Sequence, residues 1–222
     1  MNLLSIQPRL KKAAVQGFLV FGLYFLLSLS FAQVTNLDDA GAGSLRDVIT
    51  AAGEGDTITF QAGLSGTINL TSVEIVIDEN NLTINGAGTS ITLDGQSANR
   101  IFNHTSNGTL TVNNLTFQNG NDGGNSGGAI RSAGNLVIRD STFRNNTSTG
   151  DGFAPSFLGG GALYVQTGIT VDNSTFINNI AFRGGAVISR SGPVTITNST
   201  MSNNTANRWG GCHLWSWRIR HC

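Results

Sequence analysis

The sequence predicts a right-handed parallel β-helix built from coils of about 25 residues. Four segments superimpose, at 110–120, 136–146, 169–179 and 194–204. Each has one large apolar residue at the same place: Phe117, Phe143, Phe176 and Met201. The steps between these residues are 26, 33 and 25 positions, and periods in this range indicate a solenoid. Apolar and polar residues alternate within each segment, which is typical of a strand with one buried face.

Residues 1–32 follow the pattern of a secretory signal peptide. A long apolar run is preceded by three basic residues, Arg9, Lys11 and Lys12. Ser30 and Ala32 then place small side chains at the positions that a signal peptidase reads, so we expect cleavage before Gln33. The alternative is an uncleaved anchor, because the run is nearly long enough to span a bilayer.

Residues 33–62 are predicted to form an N-terminal cap, with a helix at 44–52 and a first strand at 57–60. Ser44 is suited to cap the helix, and Asp47 stands where a capping box has an acid. One apolar stripe runs along the helix: Leu45, Val48, Ile49 and Ala52. Gly53 is predicted to end it. We expect the helix to cover the open edge of the first coil, because an uncovered edge would recruit other chains.

The coils are predicted to span 63–207, beginning with less regular strands at 67–70, 73–77 and 82–84. In the regular coils a short polar residue stands three positions before the large apolar one, which suits a bend with unusual dihedrals: Asn114, Asp140, Asn173 and Asn198. A threonine precedes each large apolar residue, which is predicted to face the core. The following turn shares an asparagine column: Asn146, Asn179 and Asn204, with Gly120 in the fourth coil. Gly-Gly pairs at 127–128, 160–161 and 184–185 are predicted to be corners of the coil.

Charge and cysteine content exclude several classes of partner and site. The body at 33–207 holds 7 basic and 13 acidic residues, a net charge of 7 − 13 = −6, and no lysine. Such a surface repels phosphate, so nucleic acid and anionic membranes are not expected as partners. The two cysteines, Cys212 and Cys222, lie outside the body, which excludes a disulfide framework or a cysteine-ligated metal there.

The repeat stops at Asn207, and residues 208–222 hold all three tryptophans and both cysteines. A frameshift in the gene explains this change, because a tryptophan codon read one base later always encodes glycine. With a displacement of 25 residues, the shifted frame places glycine at 209 opposite Gly184 and an apolar residue at 212 opposite Val187. The glycine forced at 215 falls on Arg190 and does not match. We therefore expect a fragment of a longer solenoid with an aberrant tail at 208–222. The alternative is a genuine basic, aromatic tail that binds a partner.

The residues predict no catalytic group, no cofactor site and no metal site. β-Helix lyases and hydrolases need clustered carboxylates, but Asp140 and Asp172 fall in different columns of the repeat. Asp122 and Asp151 fall in Gly/Ser/Asn-rich loops and are expected to be solvated. His104 has no carboxylate or nucleophile pattern beside it, so a surface role is expected. Three arginines are candidates for a groove that binds an acidic glycan: Arg131, Arg183 and Arg190.

Two groups of residues resemble bacterial surface proteins. The stretch at 34–60, with Gly43-Ser44-Leu45-Arg46-Asp47, resembles the N-terminal region of CSLREA-type proteins, and Gly43 stands where that motif has cysteine. The coils resemble the repeats of polymorphic outer-membrane proteins, which carry an F-x-x-N turn and a G-G-A-[ILV] strand start. These occur here as Phe143-x-x-Asn146, Phe176-x-x-Asn179 and the G-G-A triplets at 127–129, 160–162 and 184–186. The likeness covers roughly 34–207.

This resemblance implies an exported passenger that is extracellular or associated with the outer membrane and is often anchored by a C-terminal module. Because no active-site pattern accompanies it, the function we expect is adhesin-like: a monomer that binds a surface glycan or protein without catalysis. The alternative is a fragment of a polysaccharide lyase or hydrolase of β-helix fold.

Overall fold

The computed structural model describes residues 32–150, 159–209 and 213–214. The predicted signal peptide, apart from Ala32, and most of the predicted aberrant tail lie outside the described residues. In chain order the elements are β1 (Ala32–Val34), α1 (Leu45–Ala51), β2 (Thr57–Phe60), β3 (Ser65–Asn69), β4 (Ile75–Ile77), β5 (Asn81–Asn85), β6 (Ser90–Asp94), β7 (Phe102–His104), β8 (Thr109–Asn113), β9 (Thr116–Gln118), β10 (Ile130–Ser132), β11 (Asn135–Arg139), β12 (Thr142–Arg144), β13 (Leu163–Val165), β14 (Ile169–Asp172), β15 (Thr175–Ile177), β16 (Ile180–Arg183), β17 (Val187–Ser189), β18 (Val194–Thr197), β19 (Thr200–Ser202), β20 (Thr205–Trp209) and β21 (His213–Leu214).

These strands form a right-handed parallel β-helix of about six turns, which confirms the predicted fold class. Sheet A stacks β1, β2, β5, β8, β11, β14 and β18; sheet B stacks β3, β6, β9, β12, β15 and β19. Sheet C stacks β4, β7, β10, β13, β17 and β21, and β16 pairs with β20 in a two-stranded sheet. The chain visits A, B and C once per turn. All pairs are parallel, as expected when each strand is followed one coil later by its equivalent.

The N-terminal helix forms where the sequence predicts it and packs on β1 and β4, the first strands of sheets A and C. Ser44 Oγ accepts a hydrogen bond from Asp47 N, and Leu45, Val48 and Ile49 are buried. The helix ends at Ala51, just before the predicted stop at Gly53, although Gly53 does not adopt the left-handed conformation of a glycine cap. The C-cap residue is Ala52, which has an extended conformation (φ −70°, ψ 153°). Gly53 N donates a hydrogen bond to the Asp56 carboxylate at 2.7 Å.

An ion pair within this cap is hydrogen-bonded to the first coil. Asp39 Oδ1 lies 2.8 Å from Arg46 Nη2, and Arg46 also donates to the carbonyl oxygens of Val73 and Glu74. Asp39 Oδ2 accepts from the backbone and hydroxyl groups of Thr71 and Ser72. Burial alone would raise the pKa of Asp39, but the hydrogen bonds from Arg46 and Ser72 outweigh it and lower that pKa to about 2.

The large apolar residues stack inside the solenoid, as predicted. The rings of Phe117 and Phe143 are 4.8 Å apart at 6°, and those of Phe143 and Phe176 are 4.9 Å apart at 7°. All three are fully buried, and Met201 continues the column in the register of β19. In the two coils before Phe117, Ile68 and Leu93 fill the same column.

Two columns of left-handed residues bend the chain at either end of sheet B. The predicted bend residues Asn114, Asp140, Asn173 and Asn198 have φ between 45° and 56°. A second column follows β9, β12, β15 and β19, the last four strands of sheet B, with φ between 50° and 56°: Asn119, Asn145, Asn178 and Asn203. Short polar side chains tolerate this conformation better than other non-glycine residues, which explains why asparagine recurs.

The asparagines after the second bend point inward and form a ladder. Asn179 is fully buried; its Oδ1 accepts from Asn146 N (3.0 Å) and Asn146 Nδ2 (2.9 Å). Its Nδ2 donates to Phe143 O (3.0 Å) and Asn204 Oδ1 (2.9 Å). Every hydrogen-bonding position of this amide is therefore filled. In the coil before, Gly120 N donates to Asn146 Oδ1 at 2.9 Å.

The Gly-Gly pairs are coil corners, as predicted. Gly160 has φ +73°, and a Cβ there would lie 2.1 Å from Leu163 O. A Cβ on Gly161 would lie 2.1 Å from Gly185 O, one coil away. Gly160 needs a left-handed conformation, and a Cβ at either position would clash with a backbone carbonyl oxygen. The corner therefore admits only glycine at both positions.

The described part of the tail continues the stack through its backbone. β20 pairs with β16, and β21 pairs with β17, where His213 lies opposite Val187. This offset is 213 − 187 = 26 residues, whereas the frameshift prediction aligns the tail with the preceding coil at a displacement of 25. The frameshift concerns the gene, so it stays a prediction.

Candidate functional site

The outer face of sheet B carries an unbroken column of six threonines, one from each strand. The strand register places them directly beside one another: Thr67, Thr92, Thr116, Thr142, Thr175 and Thr200. Their neighbours in the strands, such as Phe117 and Phe143, face the core, so alternation turns the threonines outward. Five are partly exposed, and Thr200 is exposed.

None of these six hydroxyls bonds to another group of the described residues. The cause is geometric. Neighbouring strands lie about 4.8 Å apart, whereas a hydrogen bond between two oxygens needs about 2.5–3.0 Å. Two short threonine side chains stacked one coil apart therefore do not bond each other. The column therefore presents a row of donors and acceptors to whatever lies outside the protein.

A second outward row runs beside the threonines, two residues further along each strand: Asn69, Asp94, Gln118, Arg144, Ile177 and Ser202. Longer side chains in this row do reach across one coil. Gln118 Nε2 donates to Asp94 Oδ2 (2.6 Å), and Arg144 Nε donates to Gln118 Oε1 (2.8 Å). Asp94 is only 6% exposed and also accepts from Gln96 N and Asn119 Nδ2.

This chain of bonds fixes Arg144 at its exposed end. The guanidinium uses Nε toward Gln118, and its two terminal nitrogens have no partner among the described residues. Arg144 and Thr142 are two residues apart in β12 and so project from the same face. We define the sheet B face as the threonine column together with this second row.

The three arginines predicted to form a groove lie on different strands or follow different strands of the solenoid. Arg131 lies on the outer face of sheet C, where Nη1 donates to Asn103 Oδ1 (3.2 Å) and Asn103 Nδ2 donates to Glu74 Oε1 (2.7 Å). The other Glu74 oxygen pairs with Arg100 Nη1 at 2.8 Å. Burial lowers the pKa of Arg100, and the charge of Glu74 opposes that shift.

Arg183 ends β16, and Arg190 is exposed immediately after β17. β10, which carries Arg131, is separated from β17 by β13 in sheet C. The three arginines thus lie at different positions along and around the solenoid. A groove that they share stays a prediction.

The surface role expected for His104 is wrong, because its side chain is fully buried inside sheet C. Nδ1 lies 2.7 Å from Ser132 Oγ, and Nε2 lies 3.2 Å from Glu79 O. Burial lowers the pKa of His104, against the opposing effect of the Glu79 carbonyl. Alternation offered a signal, since His104 stands two residues after the inward Phe102 and shares its face.

The acidic residues serve the solenoid itself. Asp140 accepts from Asn173 Nδ2 (2.6 Å), and Asp172 accepts from Thr197 and Asn198 (both 2.8 Å), so the two lie in different columns as predicted. The side-chain hydrogen bonds of Thr197 and Asn198 lower the pKa of Asp172.

Asp122 was expected to be solvated, which is wrong: it is 6% exposed. It accepts from Ser148 Oγ (2.6 Å) and Thr149 N (3.0 Å), which ties its loop to the next coil. Asp151 lies outside the described residues.

Across 32–150 and 159–209, no group of three or more His, Cys, Asp or Glu side chains could hold a metal ion. Over the same described part of the chain, no helix has the length and apolar character needed to cross a membrane.

The stacked parallel sheets, the left-handed bends and the buried asparagine ladder together define the chain as a parallel β-helix repeat protein. Comparison with protein-family models, curated proteins and solved structures gives no match to this chain.

Proposed function

We propose that the protein is an exported surface or secreted passenger that binds a glycan through the sheet B face, without catalysis. One observation carries the proposal: six threonine hydroxyls stand in line on a rigid face and have no partner within the described residues. A polysaccharide chain presents hydroxyls at regular intervals along its length, so it can match such a row with successive hydrogen bonds. The stacked core supports the proposal because it holds the row rigid before any ligand arrives, which lowers the entropic cost of binding.

We further propose that the chain belongs with the CSLREA-type and polymorphic outer-membrane protein-like repeat proteins and shares their location outside the cell. The motif residues have clear structural roles: Phe143 and Phe176 fill the core, Asn146 and Asn179 form the ladder, and Gly160 forms a corner. The apolar run near the N-terminus supports export. Fractionation of expressing cells tests the location; a chain that stays in the cytoplasm with residues 1–32 attached contradicts it.

Glycan binding is tested on a polysaccharide array with a triple variant, Thr116→Val, Thr142→Val and Thr175→Val. Valine keeps the β-branched shape and removes the hydroxyl, so the strands are preserved. We expect at least about tenfold weaker binding, because hydrogen bonds contribute about 0.5–1.5 kcal/mol each. The matched control replaces three outward threonines of sheet A, Thr111→Val, Thr170→Val and Thr195→Val, and should bind as the wild type does.

Two outcomes overturn the proposal. Equal binding by both triple variants shows that the sheet B hydroxyls do not contact the ligand, and absence of binding to every glycan removes glycan recognition altogether. Release of unsaturated or shortened products from any bound polysaccharide contradicts the non-catalytic part.

A further inference from the structure

We infer that the ligand of the sheet B face is an acidic polysaccharide and that Arg144 binds one of its carboxylates. The inference rests on the proposed function and assigns the substrate class of the same site. Its basis is the orientation of Arg144: the bond from Nε to Gln118 Oε1 (2.8 Å) holds the guanidinium plane, while both terminal nitrogens lack a partner among the described residues.

The free edge of Arg144 suits a carboxylate. A guanidinium offers two parallel N–H groups that match the two oxygens of a carboxylate, and such charge-assisted pairs are stronger than neutral hydrogen bonds. Because Gln118 is itself held by the buried Asp94, the arginine is fixed through three successive coils before ligand binds. Less side-chain freedom is then lost on binding than for an unrestrained surface arginine.

The position of Arg144 along the solenoid allows an anionic ligand despite the net charge of −6. Acidic residues concentrate at the N-terminal end: residues 38–79 hold eight acids and one arginine, a net charge of 1 − 8 = −7. Residues 80–207 hold five acids and six arginines, a net charge of 6 − 5 = +1. The register places Arg144 three coils beyond β3, or about 14 Å along the axis, which exceeds the Debye length of about 8 Å at physiological ionic strength. The acidic end is therefore screened from this site.

The threonine beside Arg144 completes the site. Thr142 projects from the same face of β12, and Thr116 and Thr175 flank it in the neighbouring strands. A uronic acid ring placed over β12 can direct its carboxylate to Arg144 while hydroxyls of the adjoining sugars meet the threonine column. The ligand then lies along the stack, across the strands, and its direction follows the solenoid axis.

The experiment measures binding of the full chain to polygalacturonate and to the same polymer after its carboxyl groups have been reduced to alcohols. The variants are Arg144→Gln, Arg144→Lys and, as a matched control, Arg139→Gln. Arg139 is an exposed arginine of the same coil on the outer face of sheet A. Affinity electrophoresis or calorimetry gives the dissociation constants, and thermal melting confirms that each variant is folded.

We expect Arg144→Gln to weaken binding to polygalacturonate at least about tenfold, because it removes a charge-assisted pair. Arg144→Lys should recover only part of this loss, since an ammonium cannot match both carboxylate oxygens. Arg139→Gln should bind as the wild type does, and the reduced polymer should not distinguish wild type from Arg144→Gln.

Equal loss in Arg144→Gln and Arg139→Gln indicates nonspecific attraction and overturns the inference. Equal affinity of the wild-type protein for the reduced and the charged polymer also overturns the inference. That result leaves the proposed glycan binding intact. Failure to bind either polymer, with no other uronate polymer bound on the array, overturns the inference, while the proposed function then depends on the neutral glycans of that array.

Discussion

Replacing Asn179 with alanine should destabilise the protein by about 3–5 kcal/mol, because an unsatisfied buried polar group costs about 1–3 kcal/mol. The amide makes four hydrogen bonds, and its removal takes this partner from two buried groups, Asn146 N and Phe143 O. Asn146 Nδ2 also loses a bond to Asn179 but still donates to Phe117 O at 3.2 Å. Asn204 Oδ1 loses less, since it still accepts from the backbone N of residue 179 at 3.0 Å. Most of the loss in stability comes from the buried groups that lose their hydrogen-bond partner, and less from the missing side chain itself.

Urea unfolding followed by circular dichroism measures this loss as a change in midpoint and free energy. The matched control is Asn178→Gly, at the adjacent exposed bend. Glycine keeps the left-handed conformation (φ 54°), and the change removes one long hydrogen bond of 3.4 Å to Asn145. The control should stay within about 0.5 kcal/mol of wild type. A loss below about 1 kcal/mol for Asn179→Ala, or one equal to the control, refutes the ladder as a source of stability.

Three further predictions concern the core, the cap and the corners. Phe176→Ala removes a fully buried ring stacked 4.9 Å from Phe143 and should cost about 3–5 kcal/mol; an unchanged melting temperature contradicts its inward position. Asp39 has a pKa of about 2 against 3.8 when unfolded, so its folded state binds the proton less tightly. Its contribution of about 2 kcal/mol is present above about pH 4 and lost as pH falls toward 2. The stability difference between wild type and Asp39→Asn should therefore shrink between pH 7 and pH 2, and a difference independent of pH contradicts the cap ion pair. Gly160→Ala needs a left-handed alanine with its Cβ 2.1 Å from Leu163 O, and should cost more than about 2 kcal/mol; Gly123→Ala, at φ +61° with nothing within 4 Å of its Cβ, isolates the dihedral cost alone.

The sequence predicts the inside of the solenoid because stacking demands like residues at like positions. Phe117, Phe143 and Phe176 recur for that reason, and the recurring Asn173 and Asn198 reveal a bend that only a few residue types tolerate. The first coils could not be predicted in this way, because their residues differ from those of the later coils. Ile68 and Leu93 fill the phenylalanine column with aliphatic residues, so β3 and β6 do not resemble the later repeats.

The sheet B face could be predicted only in part. The sequence shows four threonines of the column, and the strand register adds Thr67 and Thr92. Asp94, Gln118 and Arg144 share a column but no residue type, so a search for repeated residues misses them. Their relation depends on register and side-chain length, which become visible once the strands are paired.

A serine column beside the threonines uses its hydroxyls within the solenoid, whereas the threonine column does not. Ser141, Ser174 and Ser199 stand one residue before the threonines, and each accepts a backbone N–H from the preceding coil, at 3.1–3.3 Å. Those hydroxyls are used within the solenoid, and Thr142 and Thr175 beside them have no such bond. Strand propensity explains a β-branched residue at an outward position, but valine or isoleucine would satisfy it equally. The outward hydroxyls are therefore free for water or a ligand, and the threonine-to-valine variants separate these cases: they should preserve the melting temperature while they weaken glycan binding. A fall in stability with unchanged binding would instead assign the column to the fold.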